Sequence, residues 1–317
     1  MRLRTAFEFL VMVAACCSRP LEGRSAAQPS GLRPDVLAGL PPVSALLQVQ
    51  PLGEGDEPSI SPDGRRVAYV RWQTVWLYDL EAGTTRQVCK NSNAHAVTWN
   101  PSGTLLAFQG DDSTRTYAKF WIWLVNPDGS NLRRISEGPE DEHPLWSPDG
   151  KRLVWSRARR LWQADSTGSN GRFLTKQPPP CVREYARAWT EDQTHLLFVR
   201  GSEMGEEFRL WQVGRDSTDD TPDSTSMPRF SRREVGLTSD GRLIYARGQP
   251  HETREIRFWE RGARGRSRRC FVQDSLGVWL VALAPDRSFV VFSCGDEEQM
   301  DLWLARWRPP RTETRYQ

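Results

Sequence analysis

Six residue pairs stand at one recurring offset in this chain, five and six places before the second position of a repeated four-residue motif. They are Asp56-Glu57, His95-Ala96, Glu142-His143, Tyr185-Ala186, Arg233-Glu234 and Trp279-Leu280. Brought to one place, they offer carboxylates, two imidazoles, a guanidinium, a phenol and an indole. Carboxylates beside histidine can hold a divalent cation or polarise a substrate. Arg, Tyr and Trp are the side chains that most often anchor a protein partner. A solvated polar rim is the plainest use of the same set. The residues alone allow all three.

Other reactive patterns are sparse. The chain has no Gly-x-Ser-x-Gly elbow, no His-Glu-x-x-His pair and no glycine-rich phosphate loop. Cys89, Cys181, Cys270 and Cys294 lack the spacing of a zinc site, and Cys270 with Cys294 is a candidate disulfide only in an oxidising compartment. Asp216, Asp219, Asp220 and Asp223 crowd the Asp/Ser/Thr-rich stretch 214–228. They lack the glycine and closing glutamate of a calcium-binding EF-hand loop, so the stretch reads as a solvated acidic loop. No catalytic residue is assigned and no cofactor is expected; metal binding at the six pairs is left unassigned. The chain reads as a binding protein rather than an enzyme.

A repeat is what would gather six equivalent pairs. Ser61-Pro-Asp-Gly64, Asn100-Pro-Ser-Gly103 and Ser147-Pro-Asp-Gly150 are followed by weaker copies at Thr190-Glu-Asp-Gln193, Thr238-Ser-Asp-Gly241 and Ala284-Pro-Asp-Arg287, at steps of 39 to 48 residues. Apolar β-rich runs follow them, at 67–70, 105–108, 153–156, 196–199, 243–246 and 289–292. Proline sets φ and glycine accepts φ > 0, so each motif predicts a hairpin. Tryptophan, present 14 times, forms a second comb at Trp76, Trp123, Trp162, Trp211, Trp259 and Trp303. Ile60, Trp99, Trp146, Trp189, Leu237 and Leu283 hold another equivalent position. Large side chains at such places suit packing between neighbouring units rather than ligand stacking.

Units of roughly 40–48 residues with four strands each predict an all-β fold, a six-bladed β-propeller of four-stranded antiparallel blades. The last unit runs out after its third strand. An N-terminal strand, residues 45–52, is expected to join the last blade and close the ring, which removes an exposed edge. The six pairs then enter the innermost strands at one mouth of the central channel. The longest loops between second and third strands, 110–119, 201–207, 248–254 and 294–300, rise on that side.

Before the repeats, Arg2 and Arg4 precede an apolar stretch at 9–15, so residues 1–16 read as a secretory signal. Val13-Ala-Ala-Cys16 resembles a bacterial lipobox, with Cys16 as the lipidated residue. Residues 17–42, with Pro20, Pro29, Pro34, Pro41 and Pro42, read as a flexible tether. The propeller is expected over 43–307 and a C-terminal tail over 308–317. Of the residues 26% are charged and 38% hydrophobic, which excludes a disordered chain and a multi-span membrane protein. A net charge of +3, from 43 basic and 40 acidic groups, is too balanced to imply nucleic acid.

Asp141-Glu-His-Pro-Leu-Trp-Ser-Pro-Asp-Gly150 fits the repeat Asp-x-x-Pro-x-Trp-Ser-Pro-Asp-Gly at every defined place, and Asp56-Glu-Pro-Ser-Ile-Ser-Pro-Asp-Gly64 is a mild variant. On these residues the chain, from about 44 to 307, resembles the propeller repeats of the TolB family, without that family's N-terminal domain. The resulting expectation is a monomeric, extracytoplasmic lipoprotein of the periplasm or cell envelope, held to the membrane at Cys16. It would bind a protein or cell-envelope component, and no nucleic acid, through Asp56, Glu57, His95, Glu142, His143, Tyr185, Arg233, Glu234 and Trp279. The alternative is a propeller enzyme acting on polysaccharide. It resembles the oligogalacturonate lyases, which implies His and a metal at the channel mouth; His95 and His143 are the histidines placed there.

Overall fold

Each Ser-Pro-Asp-Gly motif folds as a tight turn whose chemistry explains its composition. In the computed structural model the amides of Gly64, Gly103 and Gly150 donate to the carbonyls of Ser61, Asn100 and Ser147 at 2.8, 3.0 and 2.8 Å. These glycines have φ of 71°, 70° and 68°, a region that glycine enters without steric cost. Gln193 takes the same place in the weaker fourth copy, at φ 59°. The motif carboxylates tie the turns. Asp63 accepts from Ser61 Oγ and the Arg65 amide, and Asp149 from Ser147 Oγ and the Lys151 amide. Burial pushes the Asp149 carboxyl up, but the bonds from Ser147, Lys151 and Arg215 outweigh it and hold it at about 2. Asp192, bonded by Thr190 and Thr194, is likewise lowered to about 2.

The structure describes residues 46–307 except 91–92, 112–118, 139, 191, 203–207, 217, 223–234, 238–242, 248–253, 260–266, 274–276, 287 and 296–299; over 235–279 it describes strand backbones only. All 24 elements among the described residues are strands. The chain opens on β1 (Leu46–Glu54). One four-stranded antiparallel sheet then holds β2 (Asp56–Ile60), β3 (Arg66–Arg71), β4 (Thr74–Asp79) and β5 (Thr84–Gln87). The next holds β6 (His95–Trp99), β7 (Leu106–Gly110), β8 (Trp121–Val125) and β9 (Arg133–Arg134). A third holds β10 (Asp141–Trp146), β11 (Arg152–Arg157), β12 (Arg160–Asp165) and β13 (Arg172–Phe173). The fourth is made of β14 (Val182–Trp189), β15 (His195–Ser202), β16 (Phe208–Gly214) and β17 (Asp220–Pro222). The fifth is made of β18 (Val235–Leu237), β19 (Leu243–Arg247), β20 (Arg254–Trp259) and β21 (Ser267–Gln273).

The remaining strands, β22 (Gly277–Leu283), β23 (Phe289–Gly295) and β24 (Met300–Trp307), form a composite sheet in the order β1-β24-β23-β22. Val49 pairs with Ala305 and Glu54 with Asp301, so the N-terminal strand lies antiparallel along the last one. It reaches Glu54, two residues past the expected end. The first strands β2, β6, β10, β14, β18 and β22 contact one another in that order, and β22 contacts β2.

The core lies between successive sheets. Val70, Val75 and Leu77 pack with Val97, Trp99 and Phe108, and Trp123 closes over them. Ile122 and Leu124 pack with Leu153 and Trp155 beside Trp162, and Leu161 packs with Phe198 and Val213 beside Trp211. Full burial of such side chains contributes about 1.5–3 kcal/mol each. The tryptophans also bond between units: the Trp99 and Trp189 indoles donate to the carbonyls of Ser59 and Trp146 at 3.1 and 3.0 Å. These indoles serve packing, as the comb predicts.

Candidate functional site

Five of the six pairs coincide with an irregularity in the strands that carry them. Register slips fall between Asp56 and Ser59 in β2, His95 and Thr98 in β6, Glu142 and Leu145 in β10, Ala186 and Ala188 in β14, and Val278 and Val281 in β22. In the first three, the second residue of the pair is left-handed: Glu57 at φ 54°, Ala96 at 51° and His143 at 54°. Such a backbone costs a non-glycine residue on the order of 1–2 kcal/mol. A bulge turns an amide out of its ladder, and here a side chain of the preceding sheet meets it. The Ala96 amide donates to Glu57 Oε2, and the His143 amide to Gln109 Oε1 at 2.8 Å.

The side chains are linked from sheet to sheet as well. Glu57 Oε1 lies 3.8 Å from His95 Nδ1, and His95 Nε2 lies 3.2 Å from Asn93 Oδ1. Arg183 of β14 donates from Nη1 to Glu142 Oε2 of β10 at 3.2 Å. His143 stands edge-on to Tyr185, with ring centroids 4.7 Å apart. Glu57, Glu142 and Arg183 are half-buried, so each keeps a face toward solvent. Chemically the described mouth includes an imidazole–carboxylate pair, His95 with Glu57, and a guanidinium–carboxylate pair, Arg183 with Glu142, on strands of successive sheets.

Beneath this rim lie buried acid–arginine clusters. Asp141, 0% exposed, accepts from Arg157 Nε at 2.7 Å and Nη2 at 2.8 Å, Trp155 Nε1 at 2.9 Å and the Gly138 amide at 3.1 Å. Glu184 holds the equivalent place in β14, bonded to Arg200 Nε at 2.7 Å, the Leu161 amide at 3.1 Å and Thr175 Oγ1. Burial pushes the Glu184 carboxyl up, against the pull of Thr175 and Arg200. The two guanidiniums lie over Trp162 and Trp211, 4.4 and 4.1 Å from the ring centroids. Asp141 and Glu184 are therefore strand anchors rather than ligand-facing groups.

The sequence-selected residues fare differently. Glu57 meets His95, and Glu142 and His143 stand against β14. Asp56 turns back to accept from the Glu57 amide at 2.6 Å. Tyr185 is fully buried and forms a wall behind His143. Trp279 is placed by its backbone alone, in β22. Arg233, Glu234, Asp223 and Cys16 lie outside the described residues, as do the side chains of Cys270 and Cys294 and most of the four long loops. Cys181 is a free, exposed thiol and Cys89 is buried. Asp216, Asp219 and Asp220 go separately to Arg152, Lys176 and Arg200, at 3.2, 3.2 and 2.7 Å. Among the described residues no three His, Cys, Asp or Glu side chains converge as metal ligands would.

Sequence reasoning missed Gln109, Arg183 and Trp72. Gln109 is the one polar side chain of β7, next to its last residue, and Arg183 comes two places before Tyr185; strand pairing was needed to aim them. Trp72 had a visible signal, an indole at a hairpin tip. It is 64% exposed on the β3–β4 turn, donates from Nε1 to Glu54 Oε1 at 2.8 Å and lies under the Arg71 guanidinium at 3.9 Å. That turn is at the same end of the strands as Glu57.

No protein-family model matches the chain. A putative tricorn protease homolog of Streptomyces coelicolor is 25% identical over 247 residues, which cover 72% of this chain and 18% of the relative. Tol-Pal system protein TolB 1 of Novosphingobium aromaticivorans is 37% identical over 60 residues, covering 17% of this chain and 13% of the relative. The matches span less than a fifth of either relative's length. Among solved structures, a putative TolB from Agrobacterium tumefaciens has a TM-score of 0.57 at 15% identity and covers 82% of this chain and 91% of its own. An oligogalacturonate lyase from Vibrio parahaemolyticus has a TM-score of 0.52 at 15% identity, covering 80% and 78%. Likeness at these identities is likeness of fold: an all-β propeller of the TolB-like kind.

Proposed function

We propose that the chain is a closed six-bladed propeller that works outside the cytoplasm, as a monomer, in non-enzymatic binding of a protein or cell-envelope partner at the channel mouth. The observation that carries this reading is the repeated bulge. Left-handed backbone appears at the same place in three sheets, and in two of them the freed amide is held by a side chain of the preceding sheet, Glu57 for Ala96 and Gln109 for His143. Groups held in place before binding reduce the ordering cost of association. Exposed Trp72 and the Arg183–Glu142 pair supply the aromatic and charged contacts that interfaces favour. The cyclic contacts of the first strands and the β1–β24 pairing support the closed ring. Likeness to Tol-Pal system proteins supports an envelope setting, and lipid on Cys16 would hold the chain there.

A polysaccharide-acting enzyme is the second reading, favoured by the Glu57–His95 contact and the lyase-like fold. The described mouth does not supply three converging metal ligands, so no step is routed through a metal. Two assays on the full chain separate the readings. Affinity capture from envelope extracts should recover a partner that the Glu142→Ala/Arg183→Ala variant loses, while incubation with oligogalacturonate should yield no unsaturated product. Turnover that disappears in His95→Ala would move the function to the second reading.

A further inference from the structure

At the opposite end of the strands, between the third and fourth sheets, lies a cavity of ≈ 560 Å³. Lys151, Arg152 and Arg172 bring three positive charges to it. Asp165 also lines it, but its carboxylate is committed to its own turn, accepting from the amides of Thr167 and Ser169 and from Asn170 Nδ2 at 2.8, 3.0 and 2.9 Å. The other acid is Asp216, which comes from the neighbouring sheet. Its Oδ1 accepts from Arg152 Nη1 at 3.2 Å and lies 3.9 Å from Arg172 Nη2. Arg172 is aimed by a bond to the Arg215 carbonyl at 3.2 Å. Arg215 in turn is paired with Asp149 on the hairpin below.

Asp216 is therefore a carboxylate already seated on an arginine pair, at the mouth of a space it does not fill. Its side chain is 76% exposed, so its hold is that of a surface ion pair and is easily exchanged. Arginine's fork matches carboxylate geometry, which favours another carboxylate in its place. The volume falls in the range of organic ligands rather than bare ions. Gln163 lines the wall at 4% exposure, and its Oε1 has no hydrogen-bond partner. Gln163 Oε1 has less than 1 Å² of accessible surface, so a small turn of the amide toward the cavity brings this unmatched acceptor within reach of a ligand hydroxyl.

We propose that this cavity is a binding site for a small hydroxylated carboxylate, and that Asp216 occupies its arginine pair as an intramolecular stand-in. The ligand carboxylate displaces Asp216 from Arg152 and Arg172, and its hydroxyl turns toward Gln163. The site is distinct from the channel mouth and stands or falls apart from it.

Calorimetric titration of the full chain at low salt tests the assignment. The probes are citrate, tricarballylate (citrate without its hydroxyl) and inorganic phosphate. Citrate should bind, and both other probes should bind more weakly. Arg152→Ala should weaken citrate about tenfold. Asp216→Asn, which removes the competing charge at an exposed position, should tighten it several-fold. Absence of citrate binding, an Asp216→Asn affinity equal to or below wild type, or phosphate binding as tightly as citrate would each overturn the proposal. Asp216→Asn keeps the test decisive even where Arg152→Ala folds poorly.

Discussion

Replacing Asp141 with alanine separates the groups that hold the mouth in place from those that face a partner. The carboxylate is 0% exposed and accepts four hydrogen bonds, from Arg157 twice, from Trp155 and from the Gly138 amide. Its loss strands the buried Trp155 indole N–H, a cost of about 1–3 kcal/mol. Removing one partner of a buried ion pair costs roughly 3–5 kcal/mol. The Arg157 side chain is 22% exposed and regains some water, so the low end applies. The two costs overlap, and the sum expected is about 4 kcal/mol. In urea this lowers the unfolding midpoint by about 1.3–4 M at unchanged slope. Glu57→Ala, at the water-accessible rim, should cost about 1 kcal/mol or less. The double variant Asp141→Leu/Arg157→Leu should recover the part of the loss due to the broken ion pair, but not the cost of the stranded Trp155 indole. Tryptophan fluorescence along a urea gradient reads all three. An Asp141→Ala unfolding free energy within about 0.5 kcal/mol of wild type, or a Glu57→Ala loss as large as that of Asp141→Ala, would refute the division between anchor and rim.

Acid should loosen the hairpins. Asp149 and Asp192 are held at about 2 in the fold against an ordinary 3.8, so their contribution is complete above about pH 4 and is lost as pH falls toward 2; a melting temperature that is flat across that window would contradict the turn chemistry. Deleting Leu46–Glu54 leaves β24 an open edge and should cause aggregation or broaden the unfolding transition, whereas a monodisperse, equally stable product on sizing and melting would show that the ring does not need β1. Cys16→Ser should move the protein from the membrane to the soluble fraction, and unchanged fractionation would remove the lipid anchor from the account.

The fold was legible because its signals are local. A glycine after Pro-Asp needs only its own φ, and a tryptophan every unit needs only the neighbouring sheet, so hairpins and packing could be read from residue types. The site was legible in position but not in aim. The offset found Glu57, His95, Glu142 and His143, yet nothing in their types announces left-handed backbone at Glu57, Ala96 and His143. Gln109 and Arg183 reach the rim through strand pairing and cross-sheet contact, which sequence spacing does not encode. Tyr185, chosen for its chemistry, is turned inward by its place in β14. Asp141 fits the repeat pattern as an acid, but its bonds to Arg157, Trp155 and Gly138 serve folding, so the match says little about function.

The central claim is that the partner sits on the mouth and not on the hairpin face. Site-specific photo-crosslinking addresses it directly, with the reactive side chain placed at Trp72 and His95 on one face and at Asp63 and Ser102 on the other. In cells carrying the full chain, a crosslinked adduct should form from positions 72 and 95 and not from 63 and 102. Adducts from 63 or 102 alone would put the working surface at the opposite end of the strands.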